Sequence, residues 1–284
     1  MDGLASRSSA LVLTGGGNRG AIQAGAVLAL FEQGFRPDLI IGVSVGAING
    51  ALLSFYPTVY GVHRMLHTWR GLDGHELFGT GSLAWRGLAA FVLGRPAAYS
   101  NQGLRDLLLR RLPSRRFSDT TVPFVAVATN LETGVPVYLS DGDLIQAVLA
   151  SAAIPVHLPP VRVQGQLLVD GAIADPAPIQ IALDAGATQV VVVEPGHACD
   201  CPKVYDNAAS IFSQSIAIMA RGILAAELDA AEGSANIIHL ALTCHADIPM
   251  TDLSRASEMI DSGYQEASRW LDSHADVWTK SRVS

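Results

Sequence analysis

Twice within its first 55 residues the chain passes from a short apolar run through a glycine-rich turn into a helix-forming stretch. Residues 10–13 lead through Gly15–Gly20 into 21–33, and residues 39–41 lead through Gly42–Gly46 into 45–55. A strand followed this closely by a helix returns as a parallel strand, with the helix as the crossover. The alternation continues. Strands are expected at 122–129 and 135–139 around the turn 130–134, and a helix at 144–153, ended before Pro155. The runs 161–163 and 166–169 flank Gly165 as a hairpin or a bent strand, and a helix at 179–185 stops at Gly186. QVVVVE at 189–194 is β-branched enough for a strand buried on both faces. A long helix at 208–231, a strand at 236–242 and a last helix at 252–274 complete the series. The pattern predicts an α/β fold: a mostly parallel central sheet between two helical layers, three layers in all.

With 284 residues and neither repeats nor a low-complexity linker, one domain spanning 1–284 is expected. Residues 57–113 interrupt the alternation. They carry Trp69, Phe78, Trp85, Phe91 and Tyr99 among glycines and arginines, and read as a helical cap or lid insertion over one end of the sheet. The uncharged run 39–56 is long enough to suggest a membrane span, but its glycines and Pro57 fit a buried strand, a tight turn and a buried helix better. Three cysteines are too few for a disulfide framework, and the N-terminus lacks the long apolar stretch of a signal peptide, so a reducing, cytoplasmic location is expected.

Gly42-Val43-Ser44-Val45-Gly46 is a G-x-S-x-G placed where a strand turns into a helix. That geometry strains the serine and exposes its hydroxyl at the sheet end, beside the positive end of the following helix. Ser44 is therefore the candidate nucleophile, with Gly42 and Gly46 as the small residues its elbow needs. Gly15-Gly16-Gly17-Asn18-Arg19-Gly20 contains G-x-G-x-x-G, the dinucleotide fingerprint. That reading requires an acid at the end of the next strand. Asp38 stands before that strand instead, and the Ser44 turn occupies the required place. Consecutive glycine amides can instead form an oxyanion hole, with Arg19 bracing the loop or meeting an anionic head group. Both loops leave the same edge of adjacent strands.

For the base, two alternatives stand. A late histidine, His239 or His245, would complete a Ser-His-acid triad, although such folds place more strands before the elbow. Asp170, in Val169-Asp170-Gly171-Ala172, ends an apolar run and could accept the serine proton directly once burial raises its pKa.

GGGNRG after the first strand, GVSVG after the second and a late DGA together resemble the patatin-like phospholipases, as do ATNLETG at 128–134 and ASAAIP at 150–155. The resemblance covers about residues 11–178. It implies a patatin-like fold and a Ser-Asp dyad without histidine, Ser44 as nucleophile and Asp170 as base, with Gly15, Gly16, Gly17, Arg19 and Gly20 as the oxyanion hole. Asp175 stands where many relatives have asparagine.

His63 and His67 have the spacing of a zinc helix, but Arg64 occupies the place of the catalytic glutamate, so a surface or packing pair is expected. The run His197-Ala198-Cys199-Asp200-Cys201 has only Cys244 and His245 as distant co-ligands and reads as a loop with reduced thiols. No metal and no cofactor are expected. The expected function is a lipid acyl-ester hydrolase of phospholipase A type working through an acyl-enzyme. An acyltransferase using the same dyad and a non-catalytic lipid-binding or regulatory module are the alternatives. Lys+Arg 19 against Asp+Glu 26, net −7, argues against a nucleic-acid partner and against electrostatic attraction to anionic lipid. Any membrane contact is expected to be peripheral and to use apolar cap residues. Only 16% of residues are charged, which suits a large core or an apolar ligand.

Overall fold

The computed structural model describes residues 9–74, 77, 92–198, 208–243, 248, 252–275 and 278. Strands are β1 (Ser9–Leu13), β2 (Leu39–Val43), β3 (Phe124–Asn130), β4 (Pro136–Leu139), β5 (Val161–Val163), β6 (Gln166–Asp170), β7 (Gln189–Ala198) and β8 (Asn236–Thr243). Helices are α1 (Gly20–Glu32), α2 (Val45–Ser54), α3 (Val59–Arg70), α4 (Gln102–Arg111), α5 (Leu144–Ser151), α6 (Ile179–Asp184), α7 (Ala208–Ala230) and α8 (Ala256–Ser273). The predicted run 39–56 is thus a strand and a helix. Among the described residues no helix is long and apolar enough to cross a membrane.

The strands form one sheet whose pairings run β5 to β6, β6 to β3, β3 to β2, β2 to β1, β1 to β7 and β7 to β8, with β4 also paired to β3. Pairs β3–β2, β2–β1, β1–β7 and β7–β8 are parallel, whereas β4, β6 and β5 join antiparallel. The bend at Gly165 is a true hairpin. Gln164 and Gly165 both have positive φ (50° and 81°), the mirror-image turn whose twist matches its strands.

Side chains alternate across this sheet, and both faces are buried. Leu11, Leu13 and Ile40 join a large core with α1, α2, α3, α5 and α8; Ala10, Val12, Ile41 and Val43 join a smaller one with α6 and α7. The central strands are therefore apolar throughout, which is why the sequence showed runs and not period-two alternation. Helix α1 is apolar all round because α8 covers its outer face. The two helices touch at backbone distance: a side chain at Gly25 would strike the Ile260 carbonyl, and one at Gly263 the Ile22 carbonyl.

Within 57–113, α3 packs against α2 and α4 against α5, and Ala98 and Tyr99 pair with the loop after α5 through N–H bonds to Val156 O (2.8 Å) and His157 O (2.9 Å). Phe78, Trp85 and Phe91 lie outside the described residues.

Candidate active site

Ser44 sits between β2 and α2 with φ +56° and ψ −122°, a conformation side-chain-bearing residues rarely adopt. Such strain costs about 1–3 kcal/mol and persists only where the surroundings enforce it. Here the enforcement is local crowding. A side chain at Gly42 would run into Gly46 and Ala47, and one at Gly46 into the Leu13 carbonyl. In addition, the Ser44 N–H donates to Ser151 Oγ at 2.9 Å, from the last residue of α5. ASAAIP was read only as family resemblance, and Ser151 had no predicted role. Its partner is distant in sequence, so no local signal could have identified it.

Asp170 reaches Ser44 through β3. Val127 pairs with both Val43 of β2 and Tyr138 of β4, and Ala128 with both Val137 of β4 and Asp170 of β6, so β2 and β6 share the flank of β3 opposite β4. Strand β2 ends at Val43, opposite Val127; β6 comes from the other direction and ends at Asp170, opposite Ala128. The two strands abut end to end, and the residue following Val43 is Ser44. Gly171 permits the join, because a side chain there would strike the Val127 carbonyl.

Both residues are 4% exposed. Asp170 N–H donates to Ala153 O at 3.0 Å, Thr129 Oγ1 donates to Asp170 O at 2.8 Å, and Asp170 Oδ1 accepts the Ala172 N–H at 2.9 Å. Burial pushes the carboxyl up to about 6, against the opposing pull of the Ser44 hydroxyl and the Ala172 N–H. The hydroxyl lies close enough to act on the carboxylate, although Oδ2 has no well-aligned partner among the described residues. An acid titrating near 6 is ionised at neutral pH and still a useful base.

The glycine loop packs against this pair. A Cβ on Gly15 would lie 3.2 Å from Ser44 Cβ and 3.8 Å from its Oγ. The five residues predicted for the oxyanion hole divide. Arg19 N–H donates to Gly16 O, and Gly20 N–H to the carbonyls of Gly17 and Asn18, so both amides are spent on the turn that starts α1. The amides of Gly15, Gly16 and Gly17 make no backbone hydrogen bond among the described residues. Gly20 is required for packing, since a side chain there would strike Val45 and Trp69. Burial and the neighbouring charge of Arg221 both lower the Arg19 pKa. Asp38 binds the start of β1 through the Ser9 N–H (3.1 Å) and hydroxyl (2.9 Å), at the sheet end away from the glycines.

A buried polar chain braces the site. Gln23 Nε2 donates to Thr14 O (3.1 Å) and Val193 O (3.0 Å). Asn49 Nδ2 donates to Gly20 O (2.9 Å) and Gln23 Oε1 (3.0 Å), and Trp69 Nε1 donates to Asn49 Oδ1 (2.8 Å). Gln23 and Asn49 are fully buried and were not singled out from the sequence.

Beyond Ser44 opens a narrow apolar cleft of about 90 Å³, walled by Val45, Ile48 and Leu52 of α2, Trp69 of α3, Leu104 and Leu107 of α4, and the loop carrying Ile154, His157 and Leu158. Val156 in that loop has φ +71°, an outlier for a β-branched residue. Burial lowers the His157 pKa, and its Nδ1 lies 3.4 Å from Pro155 O. His239 is elsewhere. Its Nε2 meets Glu194 Oε2 at 2.8 Å on β8, three strands from β2, or about 14 Å at ordinary strand spacing. His63 and His67 are exposed on α3. Cys199, Cys201, Cys244 and His245 lie outside the described residues, as does the side chain of His197.

A family model described as patatin-like phospholipase matches residues 11–183. Lysophospholipase nte1 of Aspergillus terreus is 28% identical over 214 residues, covering 75% of this chain and 14% of that protein. Patatin-like phospholipase domain-containing protein 7 of Rattus norvegicus is 28% identical over 195 residues, covering 68% and 14%. The chain thus spans about a seventh of the length of these relatives. Among solved structures, VipD from Legionella pneumophila superimposes with a TM-score of 0.51 at 17% identity, covering 95% of this chain and 67% of that one. Human GIVD cytosolic phospholipase A2 in complex with methyl gamma-linolenyl fluorophosphonate gives 0.50 at 12%, covering 98% and 60%. At these identities the structural likeness establishes a shared fold.

Proposed function

Because this chain belongs to the patatin-like phospholipase family, we propose that it is a serine acyl-ester hydrolase acting on lipids through a Ser44–Asp170 dyad. The Asp170 carboxylate takes the hydroxyl proton as Ser44 Oγ attacks the ester carbonyl carbon. The carbonyl oxygen becomes an oxyanion that the amides of Gly15, Gly16 and Gly17 receive, in a site where little water competes. Collapse breaks the ester bond, and Asp170 returns the proton to the departing alcohol. Water then attacks the acyl-Ser44, giving its proton to Asp170; the fatty acid leaves, and the proton returns to Ser44. The apolar cleft supports an acyl chain as the bound part of the substrate.

The observation that carries this reading is the abutment of β2 and β6 along β3, which brings a strained serine and a buried carboxyl together beside glycine amides that make no backbone hydrogen bond among the described residues. The test pairs a fluorophosphonate probe with hydrolysis of a chromogenic fatty-acyl ester. Wild type should be labelled at Ser44 and turn over the ester, whereas Ser44→Ala should do neither and Asp170→Asn should lose turnover. Full activity in either variant refutes the dyad. Labelling without turnover in water, restored by an alcohol or thiol acceptor, would make the protein an acyltransferase.

A further inference from the structure

Val45, Ile48 and Leu52 lie on one side of α2, three to four residues apart, and together form one wall of the cleft that starts at Ser44. Leu52 and Thr68 also line a second cavity, an outward groove of about 360 Å³ whose other walls include Tyr60, His63, Arg64 and Arg111. The two cavities meet at this pair and differ in chemistry. On the Ser44 side the lining is almost wholly apolar; on the far side it is mixed, with exposed His63, Arg64 and His67 beside Tyr56, Met65 and Pro113. Among the described residues neither guanidinium has a carboxylate partner, and Arg64 lies over the Tyr56 ring at 4.9 Å.

We propose that Leu52, with Thr68, is the end wall of the acyl slot and sets the length of chain the enzyme prefers, an inference that rests on the hydrolase reading above. Eight residues of helix separate Ser44 from Leu52, a rise of about 12 Å. A fully extended chain advances about 1.2 Å per bond, as the span of an extended peptide shows, so Leu52 stands about ten carbons from Ser44, and a chain that reaches it widens the cleft of about 90 Å³ as it enters. Each methylene buried inside it adds about fourfold to the preference. A longer chain must pass between Leu52 and Thr68 into an outward groove of mixed lining, rimmed by the exposed Tyr60, His63, Arg64 and His67, where further methylenes stay partly hydrated and gain less. The slot is narrow and holds one chain, so its length, and not its girth, controls selection. The substrate class is therefore a lipid ester with a medium-length acyl chain.

The experiment measures kcat/KM on p-nitrophenyl esters from butanoyl to hexadecanoyl for wild type, Leu52→Phe, Leu52→Ala and Ser44→Ala. In wild type, kcat/KM should climb about fourfold per methylene and level off near ten carbons. Leu52→Phe should move that break one or two carbons shorter, lowering the dodecanoyl-to-hexanoyl ratio by about tenfold. Leu52→Ala should move it longer. The ratio is independent of how much of each variant folds, because lost protein scales every ester alike. Ser44-dependent hydrolysis with the same break in all three Leu52 forms overturns the end wall and leaves the hydrolase reading intact. Hydrolysis that Ser44→Ala does not abolish overturns both.

Discussion

The main-chain N–H of Ser44 donates to the Ser151 hydroxyl at 2.9 Å, tying the strained elbow to the last residue of α5. Ser151→Ala leaves a buried N–H unpaired at a position that already stores strain. The expected loss is about 1–3 kcal/mol, read from urea unfolding, together with slower fluorophosphonate labelling of Ser44. Unchanged stability and labelling would remove Ser151 from the brace.

In the dyad proposed above, the Asp170 carboxyl, raised to about 6 by burial, must be ionised to accept the serine proton. Ester hydrolysis should therefore fall about tenfold per pH unit below 6 and level off above it, with one proton on the acid limb. A pH–rate profile flat from pH 4.5 to 8 would contradict Asp170 as base.

The same shift has a stability consequence. A carboxyl whose pKa is raised on folding favours the folded state most below its unfolded value near 3.9, and stability then declines as pH rises toward 6. The decline is about 3 kcal/mol for a shift of this size. Asp170→Asn should remove it, leaving an inactive protein more stable than wild type at pH 8. Asp175, also raised by burial, contributes a decline of the same sign in both proteins. Unfolding midpoints at pH 4 and pH 8 decide the matter; a variant less stable than wild type at pH 8 would count against a buried, ionised Asp170.

His239 is held by Glu194 three strands from β2, too far to touch the serine. His239→Gln should keep kcat/KM within about threefold of wild type, as expected of a residue outside the transition state. A loss as large as that of Ser44→Ala would favour a triad instead.

Asn49 accepts from Trp69 and donates to Gln23 in a chain that is buried throughout. Asn49→Leu keeps the volume but leaves the indole N–H, the Gln23 carbonyl and the Gly20 carbonyl without this partner. A destabilisation of about 3–5 kcal/mol is expected in urea unfolding, larger than for one hydrogen bond, because the three groups lose their partner together.

Much of this was written locally. The two strand–glycine–helix turns dictated parallel β1 and β2 and put the glycine loop and Ser44 at one sheet edge, because a strand and the helix that follows it are fixed by neighbouring residues. The turn 164–165 likewise marked its own hairpin. What local pattern could not supply was the choice between Asp170 and a histidine. D-G is a common turn, and nothing in its neighbours reveals that β6 runs head-on into β2 along β3. Resemblance pointed to Asp170, and register explains how it gets there. The division of the residues expected to form an oxyanion hole was equally hidden, since whether an amide is spent depends on the turn it enters: Arg19 and Gly20 close the first turn of α1, whereas Gly15–Gly17 do not. Ser151, Gln23, Asn49 and the Leu52–Thr68 wall belong wholly to tertiary structure. Each acts through a partner far along the chain, and pairings of that kind arise only when separate helices are packed against one sheet.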